Sequence, residues 1–137
     1  MYALISCTKL KQDKACLARE MYLKSTLFSK AVRYIELKGY DDWFILSAKY
    51  GLLNKDEVIE PYDVTLNNMK SAEKKEWSRK VADQIQSLKL KNVDFYAGAN
   101  YREHLLPLLD AQGVKFNVPL LGKGIGEQLQ FYTRQMK

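Results

Sequence analysis

Four short stretches of this chain combine residue types that can do chemistry, and each directly follows an apolar run. Ser6-Cys7-Thr8-Lys9 follows Tyr2–Ile5, and Ser47-Ala48-Lys49-Tyr50-Gly51 follows Trp43–Leu46. Gly98 with Asn100-Tyr101-Arg102 follows Val93–Ala97, and Gly122-Lys123-Gly124-Ile125-Gly126 follows Val114–Val118. Ser6, Cys7, Ser47 and Lys49 supply the hydroxyl, thiol and ammonium groups from which a reacting centre is built, and they are the expected catalytic residues. Lys9, Arg102 and Lys123 can neutralise phosphate or stabilise developing negative charge. Asn100 and the small residues Gly51, Gly122, Gly124 and Gly126 let a ligand approach and orient against the backbone. Tyr50 and Tyr62 lie in loops, where an aromatic ring can stack on a base.

Each group also has a plainer reading. Cys7 is a nucleophile if Lys9 or a helix N-terminus lowers its pKa; otherwise it is a small residue buried beneath a pocket. Cys16 reads as core and His104 as helix surface. Lys49 either reaches a ligand or pairs with an acid in the 56–63 stretch. Asp63 is either a base or a solvated carboxylate. The loop at Gly122–Gly126 either cradles a phosphate on its backbone N–H groups or is a Gly-rich turn. It lacks the G-x-x-x-x-G-K-[ST] and G-x-G-x-x-G spacings, and no cofactor is expected. With one His and two Cys, no metal site is expected either.

The chain has 137 residues, 47% of them hydrophobic and 28% charged. That length suits a single domain, 1–137, with a core of its own. Two cysteines make no disulfide framework, and no apolar run reaches a membrane span. A cytoplasmic protein without a membrane partner is expected. The net charge of +6 is unevenly placed: +5 over residues 1–40, −4 over 41–68, +4 over 69–92 and +1 over 93–137. Basic stretches attract polyanions, although 17 lysines against five arginines also fit a solvated surface. Lys70, Lys74, Lys75, Arg79 and Lys80 would lie along one long helix, as its solvated face or as a contact face for a polyanion.

The elements that must position these groups follow from hydrophobic periodicity. Strands are expected at Tyr2–Ile5, Trp43–Leu46, Asn92–Ala97 and Val114–Val118. A helix capped by Ser25 and stopped by Gly39 precedes the second strand. A long amphipathic helix over Ser71–Leu88 precedes the third. Asn100 and Glu103 suggest a capping box for the next helix, which Pro107 should kink. A last helix ends near Met136. Strands alternating with helices imply a parallel sheet. The expected fold is a three-layer α/β/α domain with a four-stranded, mainly parallel sheet in the order 2-1-3-4. Ligands in such sheets bind beyond the carboxyl ends of the strands, so Ser6, Ser47, Lys49 and Gly124 should meet in one crevice.

Ile5–Lys11 with Met21–Phe28, and Ile45–Leu53 with Pro61–Leu66, resemble a small bacterial and phage family of unknown function with an S-A-K-Y-G-L signature. Ser47 to Tyr62 is similar to the S-x-x-Y-G…I-x-P-Y stretch of the peroxide-stress YaaA family, whose members bind DNA. Ser47, Gly51-Leu52 and Tyr62-Asp63 resemble the uracil-glycosylase-like domain of archaeal archaeosine-forming enzymes. Those likenesses imply a uracil-glycosylase-like fold and a setting in nucleic-acid modification or a DNA-damage or oxidative-stress response. The resulting expectation is a domain that binds a nucleobase, nucleotide or nucleic acid at the crevice. The alternatives are a non-catalytic DNA- or RNA-binding module and an enzyme acting on a phosphorylated metabolite.

Overall fold

The computed structural model describes residues 1–135, so the expected helix end at Met136 lies outside the described residues. The chain opens with β1 (Tyr2–Ser6), followed by β2 (Cys16–Leu17), α1 (Ala18–Met21), α2 (Thr26–Lys38), β3 (Asp42–Ser47), β4 (Gly51–Asn54) and β5 (Val58–Ile59). A 3-10 turn (Leu66–Asn68) leads to α3 (Ser71–Ser87), β6 (Asn92–Tyr96), α4 (Ala99–Arg102), α5 (Leu105–Ala111), β7 (Lys115–Asn117) and α6 (Ile125–Gln135).

The main sheet has five strands in the order β4-β3-β1-β6-β7. β1 is parallel to β3 and β6, β6 is parallel to β7, and β4 is antiparallel to β3. A separate two-stranded ribbon joins β2 to β5. This corrects the expected four-stranded, uracil-glycosylase-like sheet. The extra strand arises because Gly51 turns the chain at φ +76° and sends Leu52-Leu53 back along β3, with Ser47 opposite Gly51 and Leu46 opposite Leu52. A left-handed residue there is cheap only as glycine.

Right-handed crossovers in opposite directions place helices on opposite faces. The path β1–α2–β3 runs one way across the sheet, and β3–α3–β6 runs the other. Accordingly α2 packs with α6, and α3 packs with α5 and β4. The core between these layers holds Leu4, Ile45, Phe95 and Ile85, all fully buried.

Local signals explain the helix boundaries. Ser25 Oγ accepts from the Phe28 N–H at 3.2 Å, and Gly39 closes α2 at φ +80°. The Glu73 carboxylate accepts from the Lys70 N–H at 3.1 Å at the start of α3. The expected capping box at Asn100 does not form; Gly98 caps α4, and the Asn100 side chain reaches elsewhere. The expected kink at Pro107 is a full break into α4 and α5. Pro107 falls in the first turn of α5, where a missing N–H breaks no helical bond.

β4 would leave its outer backbone groups unpaired at the sheet edge. Gln84 of α3 meets both groups of Leu52: its Oε1 accepts from Leu52 N–H at 2.8 Å, and its Nε2 donates to Leu52 O at 3.2 Å. A Cβ on residue 51 would lie 2.5 Å from that same Oε1. Gly51→Ala is therefore expected to lose about 2–4 kcal/mol, combining left-handed strain with displacement of two hydrogen bonds. Gln84→Ala should show the hydrogen-bond part alone, about 1–2 kcal/mol. Thermal unfolding of both variants checks this; an unchanged Gly51→Ala would contradict the role given to the turn.

Candidate functional site

The carboxyl ends of β1, β3 and β6 deliver a connected set of polar side chains. The Cys7 N–H donates to Leu46 O at 2.9 Å and carries the pairing with β3 one residue past the strand. Its buried Sγ lies 3.2 Å from the Tyr101 hydroxyl on α4. The Tyr101 ring meets Trp77 of α3 edge-on, with centroids 5.6 Å apart. Trp77 Nε1 in turn donates to Ser47 O at 2.8 Å, which pins α3 to the end of β3.

Ser47 is fully buried. Its Oγ donates to the Tyr62 hydroxyl at 2.8 Å and accepts from the Tyr50 N–H at 3.1 Å. The hydroxyls of Tyr62 and Tyr22 are 2.7 Å apart. Ser47, Tyr62 and Tyr22 thus form one hydrogen-bonded chain that ties the segment after Pro61 to the sheet. Further on, buried Leu66 and the Asn67–Asn100 amide contact hold that segment, and Lys74 Nζ donates to Asn100 Oδ1 at 3.1 Å.

Between this segment and the loop after β1 lies a hollow of about 530 Å³. Cys7, Thr8, Lys9 and Lys11 form one wall; Asp63, Thr65, Asn67 and Asn68 form the other, with Tyr101 between them. Lys11 Nζ sits 4.6 Å from the Tyr62 ring centroid, a cation–π distance, and donates to Lys9 O at 3.3 Å. Among the described residues, neither Lys9 nor Lys11 is within ion-pair distance of a carboxylate.

Burial pushes the Tyr22, Tyr62 and Tyr101 phenols well above their ordinary value, with Cys7 nearby adding to the rise. Burial also pushes Tyr96, which packs against Tyr34 of α2, up to about 12. These hydroxyls stay protonated at neutral pH and act as hydrogen-bonding groups rather than as bases. The folded state therefore holds its phenol protons more tightly than the unfolded chain, whose tyrosines ionise near pH 10. The tyrosine contribution to stability should be constant below about pH 10 and be lost as the pH rises from there through 12. Thermal unfolding against pH, followed together with tyrosinate absorbance, tests this. Smooth ionisation of all nine tyrosines near pH 10 in a folded protein would contradict it.

The structure gathers some of the expected site residues and separates others. Cys7 and Lys9 line the hollow, and Tyr62 borders it through Lys11. Ser6, Ser47, Lys49, Tyr50, Gly51, Asn100, Gly124 and Gly126 are not in its walls. Lys49 is exposed and stands 5.2 Å from the Tyr50 ring centroid. Arg102, Gly122 and Lys123 line a second, smaller hollow of about 280 Å³ beyond β6. Ser6 and Ser47 end neighbouring strands, with Ser6 opposite Leu46, while Lys49 and Gly124 lie in the walls of neither hollow. The segment after Pro61 runs past the strand ends, bonded to Ser47 through Tyr62 and to Asn100 through Asn67.

The Gly124 N–H donates to Glu127 Oε1 at 3.2 Å, so the chain's own carboxylate caps α6 at the loop read either as a phosphate cradle or as a Gly-rich turn. Thr8 and Tyr101 were named at their strand ends without a stated role, and Lys11, Thr65, Asn67 and Asn68 were not among the expected site residues. Their polar types were visible, but their shared wall depends on the path of residues 60–70. A larger groove, about 830 Å³, runs between β4 and α3. It is lined by Glu57, Glu76 and Asp83 as well as Arg79 and Lys80, with Arg79 3.0 Å from Glu76. Among the described residues no cluster of His, Cys, Asp and Glu suits a metal ion, and no helix is long and apolar enough to cross a membrane.

These features define a mixed α/β protein with a polar hollow at the ends of its parallel strands. The chain belongs to a family of unknown function (DUF6884), whose model matches residues 2–134. No curated protein and no solved structure matches it. The likeness to YaaA proteins has no support in these comparisons. The uracil-glycosylase-like description is overturned by the five-stranded sheet with its antiparallel edge. The expectation of nucleotide or nucleic-acid binding loses whatever weight it drew from those likenesses, leaving the hollow's own chemistry.

Proposed function

We propose that the hollow at the end of β1 binds a phosphate-bearing small molecule of about nucleotide size. The observation that carries this reading is the pair of lysines, Lys9 and Lys11, facing one hollow without a carboxylate partner among the described residues. Two ammonium groups beside hydroxyl and amide side chains suit a phosphate. The volume of about 530 Å³ falls in the range of small-ligand sites. Asp63, Asn67 and Asn68 face the lysines across the hollow and suit sugar hydroxyls or the polar edge of a base. Tyr101 offers an aromatic surface between them. Cys7 is the reactive side chain nearest the ligand in this reading, with its thiol aligned by the Tyr101 hydroxyl. Ser47 acts through Tyr62 as a positioning residue.

Calorimetric titration with adenosine 5′-monophosphate, ribose 5-phosphate and adenosine tests the reading. Saturable binding of either phosphate compound, with none or far weaker binding of adenosine, is expected. Equal affinity for adenosine, or heat with an oligonucleotide alone, would overturn it.

A further inference from the structure

The smaller hollow beyond β6 is lined by residues that the larger one does not share. Arg102 is half-buried there, and its Nε donates to Ala97 O at 2.9 Å. That bond fixes the guanidinium plane. The remaining guanidinium N–H donors have no partner among the described residues, and no carboxylate lies within ion-pair distance. Lys123 lines the same hollow, likewise without an acidic partner, and Gly98 and Gly122 leave its wall open to backbone approach. Gly122 holds φ +84°, which places Lys123 at this rim. The carboxylate nearest Lys123 along the chain, Glu127, is engaged by the Gly124 N–H, and that of Glu103, next to Arg102, lies 3.9 Å from His104 Nε2.

We infer that Arg102 and Lys123 form an oxyanion site for a single phosphate group. A half-buried guanidinium with free donors is costly unless water or an anion satisfies it. Its planar fork matches two oxygens of a tetrahedral anion, and an ammonium adds a third contact. The volume of about 280 Å³ accommodates inorganic phosphate or the end of a small phosphorylated compound, but not a whole nucleotide held as in the larger hollow. The two hollows share no residue, so this site stands or falls independently of the one at Lys9 and Lys11.

The test titrates inorganic phosphate at constant ionic strength, with chloride as the control anion. It uses the wild-type protein and a Lys9→Ala/Lys11→Ala protein, in which the larger hollow is disabled. Saturable phosphate binding is expected to persist in the double variant. Adding Arg102→Gln, which keeps an amide donor for Ala97 O, should weaken it at least tenfold. Lys123→Ala, at an exposed position, should weaken it severalfold without altering the melting temperature. Arg102→Lys keeps the charge, loses the fork and should fall between. Loss of all phosphate binding in the double variant would overturn the inference while leaving the larger hollow intact. So would binding that Arg102→Gln and Lys123→Ala leave unchanged.

Discussion

Tyr62→Ala is expected to lose about 3–4 kcal/mol of stability, the largest effect of any single change near the site. Its ring packs edge-on against Tyr50 with centroids 5.6 Å apart and supports Lys11. Its hydroxyl joins Ser47 to Tyr22, both buried. Alanine removes the ring contacts and leaves two buried hydroxyls short of a partner. Tyr62→Phe keeps the ring and should lose about 1–2 kcal/mol, the part due to the hydroxyl. Denaturant unfolding of both variants gives the difference directly. Because Tyr62 anchors the segment that carries Asp63, Thr65 and Asn67, the alanine variant should also lose ligand binding per folded molecule. The phenylalanine variant should keep most of it. Equal stability of Tyr62→Ala and wild type would contradict the anchoring role.

Replacing Lys9 and Lys11 together with alanine is expected to weaken adenosine 5′-monophosphate binding roughly 100-fold, about tenfold per ammonium. Lys9 is exposed and Lys11 half-buried. Neither is held by an ion pair among the described residues, so stability should move by less than about 1 kcal/mol. Calorimetry and thermal unfolding on one preparation separate the two effects. A destabilised variant that binds normally when folded would make these lysines structural.

Much of the local structure was legible because its causes are local. Ser25 and Gly39 bound α2 through a cap and a left-handed stop that any reader of the chain can place. The apolar runs at Tyr2, Trp43 and Asn92 mark buried strands. β4 was not legible: Gly51-Leu52-Leu53 reads as a loop unless one knows that Gln84, 32 positions away, accepts and donates along its edge. The Asn100–Glu103 spacing suggested a cap, yet long-range contacts to Asn67 and Lys74 claimed the Asn100 side chain.

The candidate site divides in the same way. Cys7 and Lys9 were recognisable because they directly follow a buried strand. Asn67 and Asn68 join them only through the path of residues 60–70, which the Tyr62–Ser47 and Tyr62–Tyr22 bonds fix. No periodicity records a contact between residues 22 and 62. Ser47 looked like a reacting group because it ends a strand beside glycine. Its full burial and three hydrogen-bond contacts give it the character of a structural hub.

Backbone amide mapping during an adenosine 5′-monophosphate titration decides whether the hollow at the end of β1 takes a ligand. Saturable shifts are expected to concentrate at residues 7–11, 63–68 and 101, with little change along the groove between β4 and α3. Shifts confined to that groove, or none at millimolar ligand, would contradict the proposal.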